Sequence, residues 1–303
     1  MVSAVITTYR RSPEVVLRAV KSVLSQTYSN IEVIVVDDSS DEYKERCEVE
    51  NAVKSINDER VMYIKHSTSK GACAARNTGL KHAHGEYIGF LDDDDEWMPQ
   101  KVESMLNVFN HADSNLALVY CKYLYVNDDT NEESIPDEQF LGFKKGRVFD
   151  SLIIDNYIGS TSFPIIRTTC LRQIGGFDEE MLSCQDYDVW LRLAKQYTVD
   201  FVDEPLVRFH IHSNESIGKN PVKRIRGQER LCHKNIEYLK TNKKAYFARI
   251  KRLAPMYAAN GEVMHSISSI IKGIKMCPGE IGENINMIGR AIKYYFRWKK
   301  TSA

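Results

Sequence analysis

The chain has 303 residues, 43% hydrophobic and 10% aromatic, which is enough for one large domain or one domain with an appendage. Lysine plus arginine and aspartate plus glutamate both number 41, so the formal net charge is zero. No run of about 18 apolar residues and no signal-peptide pattern occurs, so we expect neither a membrane-spanning helix nor a cleaved leader. The seven cysteines are irregularly spaced without a CxxC pair, which favours a reduced, cytosolic compartment.

In chain order, residues 1–220 alternate apolar runs typical of strands with segments of helical period. The runs predict strands at Val2–Ile6, Ile31–Val36, Val61–Lys65, Tyr87–Leu91, Leu116–Val126, Phe163–Ile166, Val199–Val202 and Leu206–His210. The periodic segments predict helices at Glu14–Gln26, Asp41–Ile56, Gly71–Ala83, Lys101–Val108, Thr168–Ile174 and Gln185–Gln196. This alternation predicts right-handed βαβ units and an α/β fold with a mainly parallel sheet flanked by helices. The polar segment Asn127–Lys145 is predicted to be a surface loop.

The composition changes after residue 220. Residues 221–303 contain 18 Lys or Arg and 5 Asp or Glu, a net charge of +13, which leaves −13 for residues 1–220. We therefore predict a separate basic region, with helices at Arg224–Lys240, Lys243–Ala259, Val263–Lys275 and Ile285–Lys300. The last helix is amphipathic and carries Trp298, a combination typical of an interfacial membrane anchor. Packing on the core, or on a second protomer as a dimer interface, is the alternative.

Four consecutive carboxylates, Asp92–Asp95, follow the strand Tyr87–Leu91, and the strand Ile31–Val36 also ends in Asp37 and Asp38. Open α/β sheets bind ligands at this carboxyl edge. Clustered carboxylates repel one another unless a cation lies among them, and their oxygens suit Mg²⁺ or Mn²⁺. A solvated acidic turn that caps the next helix is the alternative. The first strand is followed by TTYRRS rather than GxGxxG, and no P-loop motif occurs, which disfavours a dehydrogenase and a P-loop kinase.

Five segments between residue 2 and about residue 216 occur in an order and spacing that resemble glycosyltransferase family 2. They are VSAVITTYRR, SVLSQTYSNIEVIVVDDSS, GACAARNTGLKHAHGEYIGFLDDDDEW, GGFDEEMLSCQDYDVWLRL and PLVRFHIHSNES. The resemblance implies an inverting, metal-dependent sugar transferase of the GT-A fold, which is Rossmann-like with a mixed, mainly parallel sheet. It covers residues 2 to about 216 and none of residues 217–303. We accordingly predict a catalytic domain over residues 1–220 and a basic helical segment over residues 221–303.

The resemblance also implies a set of side chains that bind the nucleotide-sugar donor, namely Thr8, Tyr9, Arg10, Asp38, Arg76, Asp92 and Asp93. Tyr9 would stack on the base. Asp38 would accept a hydrogen bond from uracil N3–H, which favours uridine over cytidine. Arg76 would reach the base or the diphosphate, because a guanidinium matches phosphate geometry. The alternatives are a tyrosine that packs its loop, an aspartate that shapes its turn and an arginine on a helix surface.

By the same resemblance, Asp94 is the direct ligand of Mn²⁺ or Mg²⁺, and Asp92 binds the ribose or the metal or a metal-bound water. His212 would contact the metal or the diphosphate, and His210, on the same strand face, stands where members often have arginine. Asp93 stands where many members have serine, and Asp95 is a supporting residue.

Asp186, in the segment CQDYDVW, matches the general base of the family, with Gln185 in place of the more frequent glutamate. A carboxylate is the plausible partner of an acceptor hydroxyl that loses its proton as it attacks. A helix cap or a first-turn acid is the alternative for Asp186. Asp188 is predicted to support the site, and Trp190 to line the acceptor pocket or, by preference, to pack in the core.

Three hypotheses therefore follow from the sequence. The first is an inverting transferase that moves a hexosyl or N-acetylhexosaminyl group from a UDP-sugar to a glycan or lipid-linked glycan, in bacterial cell-surface polysaccharide synthesis. The second is a nucleotidyltransferase-like metal enzyme, and the third is a non-catalytic protein that binds nucleic acid through its basic C-terminal region. We favour the first, with no nucleic-acid partner. The expected location is cytoplasmic, with peripheral contact to the inner face of the membrane.

Overall fold

The computed structural model describes residues 1–130, 132–136, 143–211 and 220–301, the last without its side chain. The chain divides into two compact units. Unit 1 comprises Met1–Phe149, Tyr157–Glu179 and Asp186–Ser213, and unit 2 comprises Asp150–Asn156, Glu180–Gln185 and Asn214–Ala303. Besides its C-terminal part, unit 2 thus contains the two short segments Asp150–Asn156 and Glu180–Gln185, which no charge or periodicity pattern indicated. Within the described ranges, no helix has the length and apolarity needed to cross a bilayer.

In the described part of the chain, one sheet of nine strands forms the centre of unit 1. The strands are β1 (Val2–Thr8), β2 (Ile31–Asp37), β3 (Val61–Lys65), β4 (Tyr87–Asp92), β5 (Glu96–Trp97), β6 (Leu116–Asn127), β7 (Glu132–Ser134), β8 (Ile165–Arg167) and β9 (Thr198–Ile211). Their order is β3-β2-β1-β4-β8-β6-β9-β5, and β7 pairs with β6. Pairing is parallel among β1–β4 and between β6 and β9, whereas β8 runs antiparallel to both β4 and β6. The predicted mixed, mainly parallel sheet is confirmed.

The described helices flank this sheet in unit 1 and make up most of unit 2. They are α1 (Pro13–Leu24), α2 (Arg46–Ser55), α3 (Ala72–His82), α4 (Lys101–Asn110), α5 (Phe149–Leu152), α6 (Thr168–Gln173), α7 (Gln185–Gln196), α8 (Pro221–Lys234), α9 (Ile236–Thr241), α10 (Lys243–Ala259), α11 (Val263–Met276) and α12 (Ile281–Thr301).

The central strands are buried on both faces, which explains why they read as continuous apolar runs rather than as alternating ones. Val2, Ala4 and Ile6 of β1 are fully buried in one cluster with residues of α1. Val5 points to the opposite face and meets α3 so closely that a Cβ added at Gly79 would lie 2.2 Å from its Cγ1. Helices on both faces therefore sandwich the strands that carry the site.

Three predicted elements differ from the structure. The segment predicted as a loop, Asn127–Lys145, contains the short strand β7. The two final strands predicted on either side of Pro205 are the single strand β9, because a register shift against β6 between Cys121 and Lys122 accommodates the proline. The predicted helix Arg224–Lys240 is divided into α8 and α9 at Asn235, whose side-chain amide donates to the carbonyl of Leu231.

Candidate active site

The carboxyl ends of three neighbouring strands bring the predicted donor residues to one edge of the sheet. Thr8 of β1 is in register with Asp37 of β2, and Thr7 is in register with Asp92 of β4. Asp38 follows β2 directly and its amide donates to the carbonyl of Thr8 at 2.9 Å. The sheet register therefore places the ends of both acidic strands beside the loop that follows β1.

Asp92 is the centre of a hydrogen-bond cluster. Arg76 Nη2 donates to its Oδ1 at 2.8 Å, and the hydroxyls of Ser160 and Thr161 lie 3.3 and 3.2 Å from Oδ2 and Oδ1. The Arg76 guanidinium also lies 5.5 Å from the ring centre of Phe177, within range of a cation–π contact. Arg76 is thus a nearly buried residue that faces the carboxylates, and not an arginine on a solvated helix surface.

Asp93 and Asp94 share one arginine that sequence reasoning did not select. Arg11 Nε donates to Asp93 Oδ1 at 2.9 Å, and Nη2 donates to Asp94 Oδ2 at 2.5 Å. Arg18 donates to the backbone carbonyl of Asp94 at 2.8 Å. Burial raises the pKa of Asp93 to about 6, against the opposing effect of Arg11.

Asp95 and His210 form the inner support of the acidic turn. Ser162 Oγ donates to Asp95 Oδ2 at 2.5 Å, and the amide of His210 donates to Oδ1 at 3.1 Å. Burial, together with the charges of Asp92 and Asp94, raises the pKa of Asp95 well above its usual range.

The His210 ring lies between two carboxylates, with Nε2 at 3.0 Å from Glu96 and Nδ1 at 2.5 Å from Asp128. Burial opposes a charge on this ring, but the two hydrogen bonds prevail and raise the pKa of His210. His210 therefore supports the acidic turn through its backbone amide, and its ring contacts Glu96 and Asp128. The predicted metal or diphosphate contact, His212, lies outside the described residues.

Asp38 is held by the loop after β3. Oδ1 accepts from the ring of His66 and the amide of Lys70, and Oδ2 accepts from the hydroxyl of Ser69 and the amide of Gly71, all at 2.7–2.8 Å. Burial would raise the pKa of Asp38, but these bonds prevail and lower it. A further bond to uracil N3–H would have to compete with one of these four.

The residues predicted to bind the nucleobase of the donor lie in the loop after β1. Tyr9 is 48% exposed, so part of its side chain is accessible to a ligand. The guanidinium of Arg10 lies 5.3 Å from the Tyr9 ring centre and 5.7 Å from that of Tyr43. Arg10 has a φ of 51°, and its amide donates to the hydroxyl of Ser39 at 2.9 Å. This hydrogen bond fixes the conformation of the loop against the end of β2.

Asp186 lies in the first turn of α7, where its Oδ1 accepts from the amide of Tyr187 at 2.7 Å. Burial raises the pKa of Asp186 to about 6. The charge of Arg76 lowers this pKa and the charge of Asp92 raises it, so the three groups interact electrostatically. A raised pKa near the operating pH is the property expected of a general base.

Asp188, two residues further on, has a different environment. Its buried carboxylate accepts from Arg192 Nε at 2.8 Å, and Arg192 also donates to the carbonyls of Ile174 and Gly176. On the other side, Asn77 of α3 bonds both backbone groups of Phe177. The turn at 174–177, whose Phe177 ring lies against Arg76, is thus held from α3 and from α7.

The remaining predicted site residues make local contacts. Trp190 is fully buried and its Nε1 donates to the carbonyl of Gly159 at 3.0 Å, so it packs in the core rather than lining a pocket. Gln185 donates to the carbonyl of Met181 at 3.0 Å.

A metal site at this edge is compatible with the side chains that are accessible. The Asp92 and Asp94 side chains are 31% and 20% exposed, whereas Asp93 and Asp95 are buried. Among the described residues, no group of three or more His, Cys, Asp or Glu side chains could hold a metal ion. Mg²⁺ commonly binds through one or two carboxylates together with substrate phosphates. The pair Asp92 and Asp94 fits that mode, although Arg11 contacts Asp94 here.

Several site residues were not selected from the sequence. They are Arg11, Arg18, Asn77, Asp128 and the run Ser160–Ser162. Three hydroxyl residues in a row between Gly159 and a buried strand were a usable signal for the last group. No sequence pattern indicated Asp128, because its contact with His210 depends on the pairing of β6 with β9.

Comparison with known proteins agrees with this geometry. A mixed α/β sheet with carboxylates at its strand ends is the architecture of the GT-A fold. Residues 3–173 match the family model described as glycosyl transferase family 2, and the chain belongs to that family. The chain is thus a glycosyltransferase, and the nucleotidyltransferase and nucleic-acid hypotheses are set aside. Asp186 lies beyond the matched segment.

Individual relatives share the same assignment. The chain is 33% identical over 232 residues, 74% of its length and 77% of the relative's, to Escherichia coli (strain K12) WcaA, provisionally named a colanic acid biosynthesis glycosyl transferase. It is 30% identical over 202 residues to an uncharacterized glycosyltransferase of Rickettsia felis; the match covers 66% of this chain but only 33% of that protein. The crystal structure of S. aureus TarS 1–349 in complex with UDP-GlcNAc matches with a TM-score of 0.63 at 17% identity, covering 99% and 91% of the chains.

Proposed function

We propose that this glycosyltransferase moves a hexosyl or N-acetylhexosaminyl group from a UDP-sugar to a hydroxyl of a glycan or lipid-linked glycan, with inversion at the anomeric carbon. The observation that carries the proposal is the arrangement around Arg76. This residue bonds Asp92 at 2.8 Å and acts electrostatically on Asp186. The carboxylate proposed to bind the cation, the guanidinium proposed to bind phosphate and the proposed base therefore interact within one cluster.

The chemistry assigned to Asp186 is removal of the acceptor proton. As the acceptor oxygen attacks the anomeric carbon, its proton passes to Asp186 and the bond to the UDP oxygen breaks. A carboxylate with a pKa of about 6 is a stronger base than an ordinary aspartate and is still ionised at neutral pH. The amide of Tyr187 holds one oxygen, Oδ1, and so orients the carboxylate.

Asp92 and Asp94 are the side chains that would hold Mn²⁺ or Mg²⁺. When bound, such an ion neutralises the charge that builds on the leaving diphosphate. Arg76 contributes a fixed positive charge beside Asp92, and Arg10, Tyr9 and Thr8 would bind the nucleotide side of the donor. The uridine preference is supported by the UDP-GlcNAc bound to the TarS neighbour, and polysaccharide synthesis by the name of the WcaA relative.

We also propose peripheral membrane contact through unit 2. Exposed apolar side chains form a stripe along one face of α11 and another along α12. They are Met264, Ile267, Ile271 and Ile274, and Ile281, Ile285, Ile292 and Phe296. Trp298 does not belong to the stripes, because its ring lies against Gly261. A second protomer is the rival occupant of this surface.

The proposed function is tested by a screen of UDP-, GDP- and CDP-sugars with and without Mn²⁺. One UDP-sugar should stabilise the protein only with metal, by roughly 2.7 kcal/mol at 100 times its Kd. The same compound should release UDP slowly to water and faster with an acceptor glycan. Stabilisation by a GDP- or CDP-sugar alone would contradict the uridine preference.

A further inference from the structure

Unit 2 contains a pocket of about 570 Å³ whose lining includes none of the carboxylates of Asp92–Asp95. Three helices of this unit line it with residues one turn apart. Arg224 and Gln228 belong to α8, and Arg290 and Tyr294 belong to α12. The spacing of four residues in each pair brings both side chains to one helix face. The pocket is therefore built by regular helix packing within unit 2.

Among the residues that the structure describes, the pocket is lined by four basic side chains and by no aspartate or glutamate. Two of the four, Lys251 and Arg252 of α10, have acidic partners outside the pocket lining, Glu283 and Asp155 respectively. Arg224 and Arg290 have no carboxylate partner among the residues that the structure describes. At least two positive charges, one on α8 and one on α12, thus have no carboxylate partner in the described part of the chain.

A buried acceptor accompanies these charges. Gln228 Nε2 donates to Cys184 Sγ at 3.0 Å, whereas Gln228 Oε1 is buried without a hydrogen-bond partner in the described part of the chain. A buried polar atom without a partner is costly, and a ligand hydroxyl would satisfy it. Tyr294 adds a further hydroxyl to the lining.

Together these features point to one class of ligand. Guanidinium groups match phosphate oxygens in bidentate geometry, and several of them around one space favour a group with two or more negative charges. The volume lies within the usual range for pockets that bind small organic ligands, so a bare phosphate would leave most of it empty. Gln228 Oε1 lacks a hydrogen-bond donor, and a sugar hydroxyl would supply one.

We propose that this pocket binds the phosphate or diphosphate group of a glycosyl phosphate, and that a hydroxyl of the sugar donates to the Gln228 side chain. Such a group occurs in lipid-linked glycans, so the ligand is the anionic portion of the acceptor; that last assignment rests on the proposed transferase function. The binding itself does not, because it is a property of unit 2. Anionic phospholipid headgroups are the other source of the same phosphate chemistry.

The test is calorimetric titration of the full-length protein with inorganic diphosphate and with glucose 1-phosphate. EDTA is present throughout, so that metal-dependent binding at the carboxylates is suppressed. Wild type should bind both probes, and Arg224→Gln/Arg290→Gln should bind them at least tenfold more weakly. The matched control is Lys223→Gln/Lys293→Gln, which removes the same charge from the same helices outside the pocket and should bind like wild type. Gln228→Ala should weaken glucose 1-phosphate but not diphosphate.

Three results would overturn the proposal. These are no binding to wild type, unchanged binding in the pocket variant, and equal weakening in the control variant, which would indicate general charge attraction. Vesicles with and without phosphatidylglycerol distinguish the ligand sources. If the vesicles that contain phosphatidylglycerol displace diphosphate from wild type and those without it do not, the ligand is a lipid headgroup and the glycosyl phosphate assignment fails. UDP release by the control variant is measured in a separate assay. The binding result can therefore be interpreted even if the proposed transferase function fails.

Discussion

Asp186 is the residue on which the proposed chemistry depends most directly. We predict that Asp186→Asn, which keeps the side-chain shape and the bond from Tyr187, lowers kcat by about 10²–10⁴ because it removes the general base. Donor KM should change little, since no donor contact is assigned to this residue. Steady-state kinetics with the real acceptor check this, with the exposed Asp203→Asn as control. Near-normal kcat in Asp186→Asn would contradict the assignment.

The raised pKa of Asp186 gives two pH-dependent consequences. Below pH 6 the base is progressively protonated, so kcat of wild type should fall about tenfold per pH unit. The folded-state pKa of about 6 exceeds the ordinary value of 3.8, so the ionised carboxylate destabilises the fold. This destabilisation is absent below pH 3.8, grows as pH rises to about 6 and is constant above.

We therefore predict that Asp186→Asn is more stable than wild type at pH 8, by about 1–3 kcal/mol, and equally stable near pH 4. Denaturant unfolding at the two pH values measures the difference. An inactive variant with no gain in stability at pH 8 would mean that the carboxylate is well solvated and that its pKa is not raised.

Partly exposed and buried side chains alternate along Asp92–Asp95, and this alternation predicts which carboxylates bind the metal. Asp94→Ala should abolish transfer and sharply weaken UDP binding in Mn²⁺, because the accessible carboxylate is lost. In EDTA the variant and wild type should bind UDP equally weakly, which separates metal binding from misfolding. A wild-type rate that EDTA leaves unchanged would contradict metal dependence.

Among the connecting elements, the turn at 174–177 joins α3, which carries Arg76, to α7, which carries the proposed base Asp186. Asn77 of α3 bonds Phe177 on one side, and Arg192 of α7 bonds Ile174 and Gly176 on the other. Phe177 lies against Arg76, so the position of this turn affects the guanidinium. Asp188 fixes Arg192 and acts on the site only through it.

Asp188→Asn should therefore behave differently from Asp186→Asn. Loss of charge from a buried ion pair should destabilise the fold, by roughly 3 kcal/mol at most. The midpoint of the pH profile should stay near 6, because the base is retained. Thermal unfolding and the pH dependence of kcat are the two measurements. A shifted midpoint with unchanged stability would assign Asp188 to the chemistry.

Local sequence patterns predicted most strands, most helices and the acidic strand ends, because the spacing of apolar residues and the turn residues act over a few neighbours. The short strands β5 and β7 were not predicted. The sequence alone did not predict contacts that depend on distant pairings. Asp38 was correctly placed at a strand end, yet the loop that holds it begins 28 residues later, at His66. Pro205 suggested a strand break, but the register shift against β6 accommodates it. Trp298 suggested a membrane anchor, but its ring packs on Gly261.

The opposite charges of the two regions, −13 and +13, accompany a difference in surface apolarity. α12 contributes Met287 and Ala291 to buried positions and still exposes Ile285, Ile292 and Phe296 on another face. Basic residues such as Lys293 and Arg297 are adjacent to them in the sequence of the helix. Lys and Arg near an anionic bilayer gain about 1 kcal/mol each, and apolar side chains add insertion at the headgroup level. This pattern favours a lipid surface over a purely electrostatic partner.

We predict that the full-length protein floats with phosphatidylglycerol vesicles at low salt and not with neutral phosphatidylcholine vesicles. Ile285→Gln/Ile292→Gln/Phe296→Gln should release it, because charge attraction alone is weak and screened by salt. Deletion of residues 285–303 is a poorer test, since it also removes the buried Met287 and Ala291. The control is Met62→Gln/Ile135→Gln, which removes exposed apolar side chains from unit 1. If wild type stays at the bottom of the gradient and its sedimentation shows a dimer that the triple variant lacks, the surface binds a second protomer instead.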